Sequence, residues 1–430
     1  MAVDWPPQPL GKLVQNFDSR RVPLSSRERE KRRGRFPYHG ATGVMDYIDD
    51  FLFEGLHLLV GEDGSVETTD GNPFLQLVDG RFWVNNHAHV LKGKTDVETW
   101  FIYYALSTVA IRPFMSGSVQ AKLSQGNLNR IPISYPPQES TRLAITHILG
   151  TLDDKIGLNR RMNATLEAMA RALFQSWFVD FDPVRAKLDG RKPIGVDPDT
   201  AGLFPDSFQD SEAGHIPKGW SIQPVGEVVD CVGGGTPSTA EPKYWEGGTH
   251  HWTTPKDFSS LQAPVLLDTD RKLTDAGVAK ISSGLLPAGT LLLSSRAPVG
   301  YLAIAAMPVA INQGFIALKC TERASSFFML NWCQTSMAEI ESRATGTTFA
   351  EISKQNFRPI RVVLPPKELM SAFTAKVAPL YAQITANLHQ CRTLAILRDT
   401  LLPKLLSGEL SVAEATGNRD LQVQPGMPKP

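Results

Sequence analysis

The chain contains two copies of one pattern, and this repeat constrains the fold more than any other feature. In each copy a series of small, polar and apolar residues leads to a Pro-Pro pair with the same spacing: Gly117, Ala121, Ser124, Asn127, Ile131, Pro136 and Pro137 match Gly346, Ala350, Ser353, Asn356, Ile360, Pro365 and Pro366. The starts of the copies also match: Trp5, Gln8, Pro9, Gly11 and Val14 return as Trp220, Gln223, Pro224, Gly226 and Val229. A duplicated chain of 430 residues is a pseudo-dimer, which suits a ligand with two related halves. Double-stranded DNA is the first candidate.

The composition fits ordinary globular domains and provides no general attraction to nucleic acid. Hydrophobic residues make up 42% of the chain, and 44 Lys and Arg residues balance 44 Asp and Glu residues. Any DNA-binding surface must therefore be local. The four cysteines follow no zinc or disulfide spacing. Because the chain shows no leader and no uninterrupted apolar span, we expect a cytoplasmic protein without a membrane segment.

The repeat and the proline pairs predict how the chain is organised. Runs typical of strands, such as Leu56–Val60 and Thr290–Leu293, precede a helical segment in each copy. We expect an α+β protein, in which two pseudo-twofold-related α/β recognition domains are joined by two long antiparallel coiled-coil helices. The first copy is predicted to consist of a recognition domain at 1–135 and a spacer helix at 136–178. A linker at 179–215 leads to the second recognition domain at 216–364 and the second spacer helix at 365–408. A disordered tail is predicted at 409–430.

The two spacer helices carry matching seams of residues that lie seven apart. The seam residues are Ile145, Leu152, Asn159, Leu166 and Leu173 in the first helix and Phe373, Leu380, Asn387, Leu394 and Leu401 in the second. This spacing is typical of a coiled coil, in which one polar residue fixes the register. We predict that Asn159 faces Asn387 across an antiparallel pair; the alternative is that both face solvent. The flanking residues Leu149, Ile156, Val377 and Ile384 are predicted to offer apolar surface to partners.

Several motifs resemble the specificity subunit of type I restriction-modification systems. The central stretch Trp177–Val184 carries this resemblance together with Leu203–Phe208 and Ile216–Trp220. Further matching motifs are Phe36–Gly43, Gly234–Ser238, Ile311–Gly314 and Leu401–Gly408. The resemblance covers about residues 5–410. It implies two target-recognition domains that each read one half of a bipartite DNA sequence, two helices that space them, and separate modification and restriction subunits that supply the chemistry.

The densest basic run of the chain, Arg20–Arg35, is the candidate for contacts with the DNA backbone. We expect its arginines and lysine to neutralise phosphates, with Arg20, Arg21, Lys31, Arg32 and Arg33 as the candidates. The alternative is a solvated charged helix over Ser25–Arg33. Substituting these residues should then weaken binding uniformly over DNA sequences.

Glycine-rich and polar loops are the candidates for closer DNA contacts. The candidates are Tyr38, Gly40, Thr42, Asn86 and His87 in the first copy and Gly234, Gly235, Thr236, Ser238, Lys256, Arg296, Asn312, Gln313 and Thr347 in the second. Arg296 has the donors to read guanine, and the amides of Asn312 and Gln313 suit adenine. Each of these candidates has an alternative. The glycine-rich loops could be ordinary turns, Arg296 could form a structural ion pair, and the amides of Asn312 and Gln313 could form hydrogen bonds with the loop backbone. We expect Asn85–His89 to be the counterpart of Asn312–Phe315.

The sequence offers no recognisable active site or metal site. His87 and His89 share one strand face, but no carboxylate or cysteine stands at a helpful spacing, so we expect no metal. No phosphate-cradling loop is present, and no Asn-Pro-Pro-Tyr type loop of a methyltransferase. A nuclease site assembled from Pro205, Asp206, Glu241 and Lys243 is a poor match. The chain is therefore predicted to select DNA without catalysing a reaction.

The resemblance also sets expectations for partners and cofactors. We expect double-stranded DNA, two methyltransferase subunits and restriction subunits as partners, with S-adenosylmethionine, ATP and Mg in those subunits and no cofactor in this chain. About 40 residues of helix span ~60 Å, which limits the distance between the two half-sites. Since the candidate loops of the copies differ, the half-sites should be unlike. The alternatives are a standalone DNA-modifying enzyme and a protein-only scaffold.

Overall fold

The computed structural model describes residues 5–64, 66–117, 121–212, 214–346, 350–412 and 415. The contacts divide the chain into two compact units. Unit 1 consists of residues 1–156 and 393–430, and unit 2 consists of residues 157–392. Each unit therefore holds one repeated domain and part of each long helix. Thr347 and most of the predicted disordered tail lie outside the described residues.

Unit 1 is an α/β domain. Its strands, β1 to β10, are Pro7–Pro9, Val14–Asn16, Arg33–His39, Val44–Ile48, Phe53–Glu54, His57–Gly61, Leu75–Val78, Arg81–Val84, Ala88–Gly93 and Pro132–Ser134. Its helices, α1 to α4, are Ser26–Lys31, Asp96–Leu106, Gln125–Asn129 and Glu139–Phe174, the last of which continues into unit 2. Two four-stranded sheets have the orders β2-β9-β6-β7 and β4-β3-β8-β5, and β1 pairs with β10. The predicted strand at Leu56–Val60 corresponds to β6.

The core of unit 1 lies between the β6 sheet, α2 and the two long helices. Leu58 and Phe101 are buried together with Leu149 and Leu405, one from each long helix. The Tyr104 hydroxyl donates to Asp153 Oδ2 at 2.7 Å, and Arg398 Nη1 lies 2.6 Å from Asp153 Oδ1. Burial, followed by the charge of Asp153, raises the pKa of Tyr104 far above its ordinary range, so the phenol remains a hydrogen-bond donor. These contacts fasten the recognition domain to the helices.

Unit 2 repeats this plan with additional elements. Its strands, β11 to β22, are Phe208–Ser211, Gly214–Pro217, Ser221–Pro224, Asp230–Gly233, His250–Thr253, Val265–Leu266, Arg271–Leu273, Leu291–Ser295, Val299–Ala305, Val309–Ile311, Phe315–Lys319 and Arg361–Leu364. Its helices, α5 to α13, are Asp182–Leu188, Pro198–Gly202, Val225–Val228, Pro255–Phe258, Asp275–Val278, Ser326–Thr335, Met337–Ser342, Lys354–Phe357 and Lys367–Leu406, the last of which ends in unit 1. The main sheets have the orders β14-β21-β18-β19-β16 and β17-β15-β20. The helical segment expected in the second copy is divided at Ser336 into α10 and α11.

The segment predicted as a linker, residues 179–215, contains regular secondary structure. It forms α5, α6 and the hairpin of β11 and β12, as far as its residues are described. Val184 and Phe204 are buried in the core of unit 2. The reason is that Phe181, Val184 and Phe204, although too sparse to show a period, all pack into one core cluster rich in aromatic rings. Trp177 lies against Phe204 with ring centres 5.2 Å apart.

The long helices are antiparallel within unit 2, but their register differs from the prediction by about one turn. Asn159 donates to Gln390 Oε1 at 2.7 Å, and Asn387 donates to Asn163 Oδ1 at 2.8 Å. Asn159 and Asn387 are both buried, so the solvent-facing alternative is excluded. Two hydrogen bonds between side-chain amides replace the predicted direct pair, because Asn163, one turn after Asn159, also lies in the seam. A single heptad row does not reveal this second polar position.

The four residues flanking the predicted seam are buried. Leu149, Val377 and Ile384 are 0% exposed and Ile156 is 4% exposed, so they form core rather than partner surface. Four residues of the predicted seam, Ile145, Asn159, Phe373 and Asn387, are buried as well, whereas Leu152, Leu166, Leu380 and Leu394 are only partly buried. A coiled-coil seam uses two rows per heptad, and a single row of residues seven apart shows only one of them.

Candidate nucleic-acid interface

Both units contain the same asparagine turn between two strands. In unit 1 the Asn85 Oδ1 atom accepts from the backbone N–H of His87 at 2.8 Å, between β8 and β9. In unit 2 the Asn312 Oδ1 atom accepts from the N–H of Gly314 at 2.8 Å, between β20 and β21. The predicted correspondence of Asn85–His89 with Asn312–Phe315 is therefore confirmed. The amide oxygen of each asparagine stabilises its own turn, as the alternative reading of Asn312 proposed.

A parallel strand ends beside each of these turns. Strand β3 pairs in parallel with β8, and β15 pairs in parallel with β20. The N–H of Asn85 donates to the His39 carbonyl and that of Asn312 to the Thr253 carbonyl, both at 3.0 Å. Parallel strands end at the same sheet edge, so the loops after β3 and β15 adjoin the turns. We call each such region a contact edge: residues 40–43 with 85–87 in unit 1, and residues 254–257 with 312–314 in unit 2.

The glycine loop of the second copy is fastened to the contact edge of unit 2. Gly235 N donates to the Ile311 carbonyl at 2.9 Å, and the Thr236 hydroxyl donates to Gln313 Oε1 at 2.6 Å. A Cβ atom on Gly234 would lie only 1.9 Å from the Ile311 oxygen, so this position requires glycine. The predicted residues Gly234, Gly235, Thr236, Asn312 and Gln313 thus come together. Thr236 and Gln313 are exposed there.

Two tryptophans and an arginine that the sequence analysis missed hold this loop in place. The indole N–H of Trp252 donates to the Gly235 carbonyl at 3.1 Å, and that of Trp245 donates to the Ser238 carbonyl at 3.0 Å. The Arg271 guanidinium carbon lies 3.5 Å from the centre of the Trp245 ring. Cation–π stacking of this kind stabilises the aromatic pair. Only the pairing of β15 with β17 brings Arg271 to the tryptophans, and the sequence gives no sign of it.

Gln76 has the corresponding role in unit 1 and was also missed. Its Nε2 atom donates to the carbonyls of Gly40 at 2.8 Å and Ala41 at 3.1 Å. Its Oε1 atom accepts from Nδ1 of His39 at 2.9 Å. Burial lowers the pKa of His39, so the ring is held neutral and Gln76 supports both the ring and the loop.

The structure separates the candidates of unit 1 into exposed and buried residues. Thr42, Asn86 and His87 are exposed at the contact edge. Tyr38 is only 1% exposed, and its hydroxyl accepts from the Leu24 N–H at 2.9 Å, so its ring belongs to the core. Gly40 is buried as well. The proposed direct DNA contacts of Tyr38 and Gly40 are therefore corrected to a structural role, because both faces of the end of β3 are covered and Tyr38 packs against Ile48 and Trp83.

Part of the basic run is engaged within the protein. Arg21 lies 2.6 Å from Glu62 and 3.6 Å from Asp18, and its side chain is 13% exposed. Arg32 pairs with Asp49 at 2.9 Å, while Arg20 donates to the Leu52 carbonyl and its guanidinium carbon lies 5.2 Å from the centre of the Phe53 ring.

The exposed end of the run lies at the junction of α1 and β3. The predicted alternative of a charged helix is confirmed for α1, whose capping box is formed by Ser25 and Glu28. Lys31 and Arg33 are exposed, and no carboxylate among the described residues forms an ion pair with either. These two cations are the members of the run best placed to reach a phosphate.

The fold assembles one acidic and histidine cluster that the sequence spacing did not predict. Ligand atoms of Asp18, Glu62 and His89 lie within 4.8 Å of one another, the one such group among the described residues. His89 Nδ1 lies 2.6 Å from Asp18 Oδ2, and its Nε2 lies 2.8 Å from the Leu123 carbonyl. Arg21 lies within ion-pair distance of both carboxylates, and Lys122 lies 3.4 Å from Glu62. The cluster is therefore arranged as a buried ion-pair network, with both ring nitrogens of His89 donating.

This network predicts acid sensitivity of unit 1. Burial raises the pKa of Asp18, but the hydrogen bond and charge of His89, with the Val90 N–H and Asn16, lower it below the ordinary 3.8. The interaction therefore stabilises the fold above pH 3.8, and this contribution is lost as the pH falls through the lowered folded-state pKa. Asp18→Asn should lower the free energy of unfolding at pH 7 by about 1.5–3 kcal/mol.

The measurement is denaturant unfolding of both proteins between pH 7 and pH 3. The difference between wild type and Asp18→Asn should narrow as the pH falls below about 4. Asp210→Asn is the control, since the Asp210 side chain is 94% exposed and pairs with exposed His215. A difference for Asp18→Asn that stays constant over the whole range would contradict this role.

The remaining charged candidates of unit 2 are exposed but have carboxylate neighbours. Arg296 Nη1 lies 3.5 Å from Glu351 Oε2, in line with the structural ion pair considered for it. Lys256 is 85% exposed and lies 3.7 Å from Asp270. Such exposed pairs are weak, so both side chains remain available to an anion.

None of the described helices combines the length and hydropathy needed to cross a lipid bilayer.

Comparisons with known proteins agree on one family. The model described as "Type I restriction modification DNA specificity domain" matches residues 3–168 and 217–377, which together exceed half of the chain. The HindI specificity subunit of Haemophilus influenzae, a type I restriction enzyme subunit, is 28% identical over 64% of this chain and 68% of its own length. The MjaIX specificity subunit of Methanocaldococcus jannaschii is 33% identical over 37% of this chain and 38% of its own length.

A solved structure shares the fold. The S subunit of a type I restriction-modification system from M. genitalium superposes with a TM-score of 0.57, at 16% identity, over 94% of this chain and 96% of that chain. At this identity the match concerns the fold alone. It agrees with the predicted α+β class, with two recognition domains and two long helices.

Proposed function

Because the chain belongs to the type I restriction-modification DNA specificity family, we propose that it selects an asymmetric bipartite DNA sequence for companion subunits that carry out the chemistry. The observation that carries this proposal is the pair of contact edges, built on the same strands and the same asparagine turn but lined by different side chains. The chain is a DNA-recognition subunit and not itself a catalyst.

The two contact edges would read unlike half-sites. In unit 1 the exposed side chains are Thr42, Asn86 and His87. In unit 2 they include Thr236, Lys256 and Gln313. Donors and acceptors of base edges in the major groove differ between all four base pairs, so different side chains on one scaffold select different bases. The target is therefore asymmetric.

The long helices would set the distance between the half-sites. Helix α4 has 36 residues and α13 has 40. A helix of about 40 residues spans ~60 Å, which accommodates major-groove sites one turn of B-DNA apart, about 34–36 Å, with unread base pairs between them. The spacer length therefore follows from the helices, and the half-site sequences follow from the contact edges.

Companion subunits would dock near these helices. The exposed apolar side chains on them are Leu158, Met169, Ile396 and Leu397, which replace the buried residues first considered for this surface. Two methyltransferase subunits with S-adenosylmethionine would each methylate one adenine, flipped out of its half-site. Restriction subunits would supply the ATP- and Mg-dependent steps. This chain would hold none of these cofactors.

Two other functions make different predictions. A standalone DNA-modifying enzyme would transfer a methyl group from S-adenosylmethionine with no other subunit present, and we expect no transfer. A protein-only scaffold would show no sequence-selective footprint in the full complex. The proposed function is tested by footprinting the chain together with its methyltransferase subunits. Protection of two short segments separated by an unprotected gap supports it, and uniform or absent protection opposes it.

The exposed cations should contribute affinity without sequence preference. Replacing Lys31 and Arg33 by alanine removes two phosphate contacts, so the slope of log K against log salt should fall by about 2. The same loss of affinity is expected on specific and unrelated duplexes. Arg191→Ala is the control, because Arg191 is exposed but pairs with Asp189 at 2.7 Å. An altered methylation motif in the double variant would contradict a phosphate role.

A further inference from the structure

An apolar edge strand adjoins the contact edge of unit 1. Strand β4 is the outer strand of its sheet, next to β3. Its side chains Val44, Met45 and Tyr47 are 46%, 56% and 54% exposed. Single exposed apolar residues are common, but three on one five-residue edge strand form a local apolar surface. The function described so far assigns no role to this surface.

Met45 lies directly on the two loops of the contact edge. A Cβ atom on Gly40 would come within 2.4 Å of the Met45 sulfur, so the side chain rests against Gly40. The Nδ2 atom of Asn85 lies 3.5 Å from the same sulfur. Gly40 begins one loop of the edge and Asn85 begins the other. The thioether is therefore positioned at the centre of the contact edge while more than half of the side chain faces outward.

The charges around this strand favour a polyanion as its partner. Strand β4 pairs with β3, which begins at Arg33, and α1 precedes β3 with Lys31 at its end. Both cations are exposed, and neither forms an ion pair with a carboxylate among the described residues. The acidic residues of this region, Asp46 on β4 and Asp49 after it, form ion pairs with Arg29 and Arg32. An apolar centre beside the two remaining cations matches the surface of a DNA major groove, in which phosphates border the base edges.

We propose that Met45 contacts the 5-methyl group of a thymine in one half-site, with Val44 and Tyr47 beside it. This inference rests on the proposed function and deepens it. The thymine methyl is the apolar group that the major groove presents, and apolar side chains select it by contact. A cytosine at the same place carries only a hydrogen at C5, so the apolar contact with the thioether side chain is lost. Met45 thus selects thymine over cytosine.

Unit 2 has a different residue at the matching position. Strand β17 pairs with β15 in the way that β4 pairs with β3. The residue before β17 is Asp270, whose N–H donates to Asp257 Oδ1 at 3.0 Å and whose side chain is 70% exposed. A carboxylate there gives no apolar contact to a methyl group. The thymine contact is therefore confined to the half-site read by unit 1.

The test uses the chain in complex with its methyltransferase subunits and a duplex that carries its methylation motif. Each thymine of the motif is replaced in turn by deoxyuridine, which lacks only the 5-methyl group. One replacement, confined to one half-site, should weaken binding by roughly fourfold, the factor for one buried methyl group. Met45→Ala and Met45→Gln should bind the thymine and uracil duplexes equally. Met45→Leu should keep the discrimination.

The controls separate this inference from the proposed function. Met169→Ala changes the same residue type at 53% exposure on α4 and should leave the thymine preference intact. Met45→Gln has nearly the length of methionine, so it retains the packing on Gly40 and tests the contact without a truncation. Equal binding of uracil and thymine duplexes by wild type, or discrimination that survives Met45→Gln, overturns the inference alone. No sequence-selective binding of any duplex refutes the proposed function itself.

Discussion

Replacing Phe373 by alanine is expected to lower the free energy of unfolding by about 3–5 kcal/mol. Phe373 is 0% exposed and lies at the start of α13. Its ring centre is 4.9 Å from that of Phe178 and 6.1 Å from that of Trp177. Both the transfer of the ring from the core and the cavity left among rigid aromatic rings contribute to the loss.

This cost should appear in denaturant unfolding followed by tryptophan fluorescence, because Trp177 reports on the same cluster. Leu397→Ala on the same helix is the control, since Leu397 is 44% exposed. Exposed substitutions of this kind change stability by about 0.5 kcal/mol or less. If the two variants were equally stable, the aromatic cluster would not be the core of unit 2.

Lengthening both long helices by one heptad is expected to widen the gap in the DNA target while leaving the half-sites unchanged. Duplicating Gly150–Ile156 and Thr393–Asp399 adds segments that already contact each other, since Arg398 Nη1 lies 2.6 Å from Asp153 Oδ1. Seven helical residues add ~10.5 Å, and B-DNA rises ~3.4 Å per base pair, so the gap should grow by about three base pairs. Methylation at the original spacing should be lost.

The control for this experiment is a duplication in one helix only. This duplication shifts the seam of one helix against that of the other by a heptad, so that the two helices of the coiled coil no longer match in length. We expect no methylation at either spacing from that variant. A change in the half-site sequences after the paired duplication, or an unchanged gap, would contradict the helices as the determinant of spacing.

The sequence predicts those parts of the fold that depend on local pattern. The heptad rows give α4 and α13 nearly to their ends, because apolar period and proline signals are read within a few turns. The repeat pairs Asn85 with Asn312 correctly, since both follow a short buried strand. Strand β6 is also predicted, as five consecutive buried residues leave a clear apolar run.

The parts that fail depend on contacts between distant residues. The register of the helices is set by Asn163 and Gln390 as well as by Asn159, and a row of residues seven apart does not show which amides meet. The predicted linker folds because Phe204 finds Trp177 in space. Neither partner indicates the other in the sequence.

The sequence predicts the exposed polar residues of the candidate site but not the residues that hold its loops in place. Thr42, Asn86, Thr236 and Gln313 are exposed at the contact edges, as a reading of polar loops expects. Tyr38 was wrongly predicted to contact DNA because the sequence does not show which residues of β3 are buried. Supporting residues such as Gln76 and Arg271 were missed, since each lies outside the loops and reaches them only through contacts between segments distant in sequence.

The most direct test of the central claim is a genome-wide map of methylated bases in a host that expresses this chain with its methyltransferase subunits. The account predicts a single bipartite motif with two unlike half-sites, a fixed gap of unread base pairs and one methylated adenine in each half. An uninterrupted motif, two identical half-sites, or methylation that does not depend on this chain would contradict it.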